Sequence, residues 1–229
     1  MCGLAAVAFA QGTAVTGQVD IVRENGSASD TGGGVVVWLT PIPNVSAVAT
    51  GGNQATMPQI VQRNKRFETP LLAVQVGTVV DFPNLDPFFH NVFSLFDGKR
   101  FDLGLYEAGA TRSIRFDRPG VCYIFCNIHS EMSATVIVVD SPYFAVLDTP
   151  GEFRIASVPR GRYLLNVWAE GASPEALTAA TREITVGREP AVAGTIDLEA
   201  SQELIGTHSN KYGQEYDPPL FSSPIYTLP

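Results

Sequence analysis

Short hydrophobic runs, several of them with alternating polar positions, recur along most of the chain, and glycine and proline separate them. Alternation with a period of two is typical of strands that bury one face. The runs predict strands at residues 15–22, 34–39, 71–76, 78–82, 91–96, 113–116, 121–125, 134–139, 153–155, 163–168, 184–186 and 194–198. Many short strands with frequent turn signals are typical of β-sandwiches and barrels. The pattern therefore predicts an all-β fold.

Three segments depart from this pattern. Ser173 and Pro174 open an alanine-rich stretch and predict a short helix, with Ser173 as its N-cap and Pro174 in its first turn. Residues 40–58 are rich in proline and glycine and predict a loop or linker. Residues 200–229 combine proline, glycine and tyrosine without hydrophobic periodicity, so we expect an extended tail that has no core of its own.

Composition supports a folded protein and argues against nucleic acid binding and against a membrane-spanning helix. The chain has 229 residues, of which 45% are hydrophobic and 17% are charged, and its formal net charge is −8. Nucleic acid binding needs clustered lysine and arginine, so we expect no nucleic acid partner. No stretch approaches the roughly 18 consecutive apolar residues of a transmembrane helix, so the sequence predicts a protein that does not itself span a membrane.

Residues 1–13 form a candidate export signal. A short apolar run ends in Ala8-Phe9-Ala10, which has the A-x-A pattern of a signal-peptide cleavage site. No basic region precedes the run, and an alanine-rich first strand is the alternative interpretation. The signal interpretation predicts an exported, periplasmic protein.

Metal-binding side chains concentrate in one loop. Cys126, His129 and Met132 follow a Cys-x-x-His-x-x-Met spacing between two predicted strands, and His90 stands where an earlier strand begins. A thiolate, two imidazoles and a thioether together suit copper and form the usual ligand set of blue-copper electron-transfer sites. Zinc accepts cysteine and histidine but gains little from methionine. We therefore predict one copper ion per chain, bound by these four residues.

The simplest alternative is that these side chains only fill the core, as lone buried cysteine, histidine and methionine residues usually do. The chain contains three cysteines, three histidines and three methionines, and one of each falls within residues 126–132. Such clustering favours a metal site.

Cys122 precedes Cys126 on the same predicted strand, about 13 Å away if extended. That separation exceeds the Cα–Cα limit of about 7 Å for a disulfide. We expect Cys122 to be buried packing.

The sequence around the four residues resembles the cupredoxin family. Residues 119–132, which include the Cys-x-x-His-x-x-Met loop, and residues 80–92, which lead into the first histidine, carry the resemblance. The short loop spacing is most similar to that of the amicyanins. The resemblance covers roughly residues 59–141 and implies a Greek-key β-sandwich.

The resemblance also implies a role for each residue of the site. His90, Cys126 and His129 are then the equatorial copper ligands, and Met132 is the weak axial ligand. Asn91 is expected to tie the loop that carries His90 to the loop that carries Cys126. The outer edge of His129 is expected to serve as the port for electrons.

Strand-like segments on both sides of this domain resemble a second family. Residues 15–19, 34–39 and 148–168 resemble a carboxypeptidase-regulatory-like sandwich of the transthyretin type. Neither side has enough strands to close a core alone. We therefore expect residues 14–53 and 142–199 to form one discontinuous β-sandwich, with the cupredoxin domain inserted in it or lying beside it.

Electron transfer is the function that these features predict first. We expect a redox partner protein, such as a c-type cytochrome or a membrane-bound electron-transfer complex. No phosphate-binding loop, nucleophile motif or placeable carboxylate pair points to an enzyme. One alternative is a non-catalytic accessory subunit of an extracytoplasmic or membrane-bound redox complex, and another is a copper carrier or storage protein. For the tail, we expect a partner protein to hold residues 200–229, and the alternative is a tail that wraps over its own sandwich. We expect His208 to be a tail residue and not a ligand.

Overall fold

The fold is all-β, as the sequence predicted. A computed structural model describes residues 12–22, 33–42, 57–95, 99–200 and 209–216. Within them the strands are β1 (Thr13–Val22), β2 (Val35–Ile42), β3 (Gln62–Arg63), β4 (Arg66–Phe67), β5 (Leu71–Gln75), β6 (Val79–Pro83), β7 (His90–Ser94), β8 (Phe101–Tyr106), β9 (Thr111–Arg115), β10 (Gly120–Phe125), β11 (Ser133–Val139), β12 (Phe144–Leu147), β13 (Gly151–Val158), β14 (Gly161–Ala169), β15 (Arg182–Val186) and β16 (Ala191–Glu199). A short helix, α1 (Pro174–Ala180), lies between β14 and β15.

Strands β3 to β11 build a first sandwich. Its main sheet has the order β5-β11-β10-β7-β8, and the smaller pairs β3-β4 and β6-β9 complete the unit. Strand β7 carries His90 and is buried along its whole length. The core of this sandwich combines aromatic and β-branched side chains with the cysteines, among them Phe82, Tyr106, Phe116, Cys122, Ile124, Cys126 and Val136.

The strands before and after the first sandwich pair with each other. Strand β1 is antiparallel to β13 and parallel to β16, which gives a sheet of order β13-β1-β16. Strand β2 lies antiparallel between β12 and β14 in the sheet β12-β2-β14-β15. These two sheets enclose a second hydrophobic core that includes Val19, Leu39, Phe153, Leu165 and Ile196. The predicted boundaries at residue 53 fall outside the described residues, and the likeness to a carboxypeptidase-regulatory-like domain stays a prediction.

Strand β11 joins the two sandwiches. Its side chains alternate between two faces. Val136 packs into the core of the first sandwich. Ile137 belongs to a third cluster, which also contains Val36 of β2 and Trp168 of β14. Both faces of β11 are therefore covered, which explains why the hydrophobic run of this strand has little polar alternation.

The helix begins where the sequence predicted. The Ser173 hydroxyl accepts a hydrogen bond from the backbone N–H of Ala176 at 3.1 Å, and Pro174 is the first helical residue. This helix has seven residues, and none of the helices in the described part of the chain is long and apolar enough to span a membrane.

One boundary from the sequence needs correction. The predicted loop at residues 40–58 begins too early, because β2 continues through Pro41 to Ile42. Pro41 fits there because β12 pairs with β2 only from Val35 to Trp38. The next residue, Leu39, still donates its backbone N–H to the Tyr143 carbonyl at 2.9 Å, whereas Pro41 is paired only with β14. Proline is tolerated on a strand with an open edge.

Candidate metal centre

The residues of the Cys-x-x-His-x-x-Met motif close a β-hairpin. Residues 126–132, called the ligand loop below, connect β10 to β11, whose last paired residues are Phe125 and Ser133. The backbone N–H of Cys126 donates to the Met132 carbonyl at 3.2 Å, and the N–H of Met132 donates to the His129 carbonyl at 3.1 Å. These bonds curl the loop, so that its side chains can turn toward one point.

His90 reaches the same point from a neighbouring strand. It is the first residue of β7, which lies beside β10 with Phe93 paired to Phe125. Pairing at that position places the start of β7 next to the ligand loop. Two strands that are adjacent in the sheet, although distant in sequence, thus bring the histidine and the cysteine together.

Three of the four predicted ligands converge. The Cys126 Sγ lies 3.7 Å from the Nδ1 of His90 and 3.6 Å from the Nδ1 of His129. The candidate ligand atoms of these three residues all lie within 4.8 Å of one another. Met132 is fully buried in the same hydrophobic cluster as Cys126. The assignment of each of the four as a copper ligand stays a prediction.

The surroundings of Cys126 suit a thiolate held by a cation. Burial raises the pKa of the Cys126 thiol. Hydrogen bonds from the backbone N–H groups of Asn91, Ile128 and His129 oppose this effect, because they stabilise the charged sulfur. A bound cation would add to that stabilisation and displace the proton.

His129 is held as a neutral imidazole. Burial, together with His90 and the positive charge of Lys65, lowers the pKa of His129 to about 4. A neutral ring keeps an unprotonated nitrogen, which metal coordination requires. The rings of His90 and His129 lie 4.9 Å apart, and Phe88 packs against both of them.

Asp86 fixes the orientation of His90, and the sequence analysis did not identify it. The Asp86 carboxylate lies 2.8 Å from the His90 Nε2, and both side chains are almost fully buried. A carboxylate on one ring nitrogen leaves the other free for a metal and raises its basicity. The Nδ1 of His90 is the atom that faces Cys126. An acidic residue four positions before a candidate ligand was the signal available in the sequence.

A tight turn holds Asp86 in its charged form. The backbone N–H groups of Asn64 and Lys65 donate to its two oxygens at 2.6 and 2.9 Å. Both turn residues have positive φ, 54° and 55°, so the turn between β3 and β4 has the left-handed backbone of a two-residue hairpin. Although burial opposes it, these bonds and the contact with His90 lower the pKa of Asp86.

Asn91 contacts the ligand loop through its backbone and not through its side chain. Its side-chain amide donates to Asp102 at 2.7 Å and not to the ligand loop. The contact with that loop comes from its backbone N–H, which bonds to Cys126. The Oδ1 of Asn91 is buried and has no hydrogen-bond partner in the described part of the chain.

The other candidate residues lie apart from this group. Cys122 is fully buried on β10, and burial raises its pKa to about 11, as fits a packed thiol. Among the described residues, only His90, Cys126 and His129 form a group of histidine, cysteine or acidic side chains that could hold a metal ion. His208 lies outside the described residues.

Residues 209–216 of the tail contact their own chain, which agrees with the alternative interpretation of a tail that wraps over its own sandwich. A partner protein that holds residues 200–229 stays a prediction. The Tyr216 hydroxyl donates to the Cys126 carbonyl at 2.7 Å, and the Lys211 N–H donates to the Asn127 side chain at 2.8 Å. The remainder of residues 200–229, except Ala200, lies outside the described residues. No sequence pattern marks this contact, because its members lie far apart along the chain.

The donor set fits copper. One thiolate, two imidazole nitrogens and a buried thioether are the ligands that copper takes in blue-copper sites. Cys126 would supply the sulfur, and His90 and His129 would supply the two Nδ1 nitrogens that face it. Met132 would supply the thioether.

No protein-family model and no curated protein matches this chain. Solved structures to which it is similar include a reduced amicyanin variant, at 24% identity and a TM-score of 0.35, over 37% of this chain and 84% of that one. A purple cupredoxin from Nitrosopumilus maritimus matches at 24% identity and a TM-score of 0.33, over 36% and 99%. A second amicyanin variant, in the Cu(I) state, matches at 20% identity and a TM-score of 0.35, over 45% and 98%. These three solved structures are cupredoxins, and the matches cover between 36% and 45% of this chain.

Proposed function

We propose that the protein binds one copper ion at His90, Cys126, His129 and Met132 and transfers single electrons. The observation that carries the proposal is the convergence of three side chains, since the Cys126 Sγ lies 3.7 Å from the His90 Nδ1 and 3.6 Å from the His129 Nδ1. Met132 is fully buried in the same hydrophobic cluster as Cys126. A bound copper ion would supply the redox change between Cu(II) and Cu(I).

Electron transfer is favoured over catalysis because the protein offers four ligands and thus leaves no obvious position for a substrate. The ligands are also held in place before any metal binds. Asp86 fixes the ring of His90, and three backbone N–H groups surround the sulfur of Cys126. A site that is already organised changes little between oxidation states, which lowers the reorganisation needed for electron transfer.

The exposed side of the site suits contact with a partner. His90 and Cys126 are fully buried, whereas His129 is only partly buried. The residues beside the two histidines are apolar and exposed, since Phe89 is 56% and Ile128 is 40% accessible. Exposed apolar groups next to a redox centre favour a transient protein contact. We propose a redox protein as partner, such as a c-type cytochrome or a membrane-bound electron-transfer complex, and a periplasmic location.

A second candidate function is that of an accessory subunit in such a complex. The observation that favours it is the second sandwich, which contributes no metal-binding group among the described residues. It nevertheless packs against β11 through Val36 and Trp168. In that role the second sandwich would dock the protein, and the copper site would be secondary.

Electrochemistry of the copper-loaded protein tests the proposal. We expect a reversible one-electron wave and rapid electron exchange with a soluble c-type cytochrome. Cys126→Ser should lose both, because the hydroxyl is a poor copper ligand. Cys122→Ser is the matched control and should keep both. A protein that takes up no copper, or whose copper is reduced irreversibly, would contradict electron transfer and leave the accessory function.

A further inference from the structure

Residues 209–216, called the clasp below, form a compact turn. The Asn210 side chain accepts hydrogen bonds from the backbone N–H groups of Tyr212 and Gln214 at 2.9 and 3.1 Å. The backbone N–H of Asn210 donates to the Gln214 carbonyl at 2.8 Å, and Gly213 supplies the positive φ of 76° that the turn requires. The clasp therefore has a defined shape, which it presents to the rest of the protein.

The clasp binds the ligand loop directly through two of its residues. The Tyr216 hydroxyl donates to the carbonyl of Cys126 at 2.7 Å. The backbone N–H of Lys211 donates to the Asn127 Oδ1 at 2.8 Å. Two consecutive residues at the start of the ligand loop are thus held by groups more than eighty positions away in the sequence.

The same clasp also reaches the strand that carries His90. The Lys211 ammonium lies 2.7 Å from the Asp102 Oδ2, and the Asp102 Oδ1 accepts the Asn91 side-chain amide, also at 2.7 Å. Asn91 follows His90, and its backbone N–H bonds to Cys126. Lys211 therefore connects both segments that carry the candidate ligands.

We infer that the clasp positions the metal centre, with Tyr216 as the residue that holds the Cys126 peptide. Within the ligand loop itself, the two backbone hydrogen bonds are long, at 3.1 and 3.2 Å. Hydrogen bonds from residues outside the loop therefore contribute to its stability. The Tyr216 hydroxyl also directs the positive end of its dipole toward Cys126. That dipole favours the more negative, reduced state of a bound copper ion.

Two variants separate this role from general stability. Tyr216→Phe removes the hydroxyl and keeps the ring. Tyr212→Phe is the matched control, because Tyr212 lies in the same clasp and is 71% exposed. Its ring and hydroxyl contact Lys211, and none of its described contacts reaches the ligand loop. The first measurement is amide hydrogen exchange of residues 127–132 in the metal-free protein. We expect exchange about tenfold faster in Tyr216→Phe, as the loss of one supporting hydrogen bond implies, and no change in Tyr212→Phe.

The second measurement is the reduction potential of the copper-loaded protein, and this arm rests on the proposed copper function. We expect a lower potential in Tyr216→Phe and an unchanged potential in Tyr212→Phe. Unchanged exchange, or faster exchange with an unchanged potential, would overturn the positioning role. If the protein takes up no copper, the proposed function fails, and the exchange measurement alone then decides whether the clasp holds the ligand loop.

Discussion

At the scale of single residues, the site is defined by groups that control the charge of the candidate ligands. Burial alone would favour a neutral thiol at Cys126 and a neutral imidazole at His129. Backbone N–H groups around Cys126 counter the first effect, because they stabilise the charged sulfur, and the carboxylate of Asp86 orients the ring of His90. The ligands are thereby prepared for a cation while the site keeps little contact with water.

The lowered pKa of His129 predicts an acid-sensitive metal-free protein. In the unfolded chain a histidine has a pKa of about 6.5, whereas burial and the neighbouring His90 and Lys65 lower the pKa of His129 to about 4 in the folded protein. The unfolded state therefore binds more protons between these values, so the free energy of unfolding should fall as pH decreases from about 6.5 to 4, by at most about 3 kcal/mol.

Urea unfolding of the metal-free protein across this pH range measures the effect. His129→Asn removes the titrating group, so the difference in stability between the two proteins should depend on pH only within this window. An equal pH dependence in both proteins would show that His129 is not held neutral by its surroundings.

Asp86 predicts a change in both affinity and potential. Asp86→Asn removes the charge that orients the His90 ring and strengthens its electron donation to a bound metal, and loss of such outer contacts typically costs about 10–100-fold in metal affinity. Weaker donation destabilises Cu(II) more than Cu(I), so the reduction potential should rise. Asp117→Asn is the control, because Asp117 is an exposed partner of Lys99. Equal copper affinities in competition titrations of both variants would refute the role of Asp86.

At the scale of elements, β11 carries the contact between the two sandwiches. Ile137 is 2% exposed and packs with Val36 and Trp168 of the second sandwich. Truncating a buried isoleucine removes apolar contacts and leaves a cavity. We expect Ile137→Ala to lower the free energy of unfolding by about 2–5 kcal/mol.

The control for this prediction is Val192→Ala on β16. Val192 is 79% exposed, and exposed substitutions usually change stability by less than about 0.5 kcal/mol. Denaturant unfolding of the two variants measures the difference. Similar stabilities would mean that the contact between the sandwiches contributes little.

The elements also show why some strands could be predicted and others could not. Strands β10 and β14 were both predicted. Strand β10 ends directly before Cys126, and in the middle of β14 buried positions alternate with partly buried ones. Strand β8 was missed because Gly104, with a φ of 68°, interrupts it and its burial pattern is irregular. Strand β12 was also missed, and none of its four residues is fully buried.

The same distinction applies to the candidate site. The spacing of Cys126, His129 and Met132 is local, so the sequence alone could indicate a metal loop. Asp86 acquires its role through a turn at residues 64 and 65, and Tyr216 acquires its role through a contact ninety positions away. Such contacts depend on how strands pack and leave no periodic signal in the sequence.

At the scale of the whole molecule, the contact through β11 predicts cooperative unfolding. Both tryptophans, Trp38 and Trp168, lie on β2 and β14 of the second sandwich, so their fluorescence reports that unit. Absorption of the copper–thiolate bond would report the first sandwich. Because Trp168 packs against β11, we expect the two signals to change at the same denaturant concentration. Separate transitions would show two units that unfold independently.

The central claim is that Cys126, and not Cys122, binds copper as a thiolate together with His90 and His129. The most direct measurement is the visible and electron paramagnetic resonance spectrum of the copper-loaded protein and its two cysteine-to-serine variants. We predict intense thiolate-to-copper absorption and a narrow copper hyperfine splitting in the unaltered protein and in Cys122→Ser, and neither signal in Cys126→Ser. Loss of both signals in Cys122→Ser, or their survival in Cys126→Ser, would contradict the assignment.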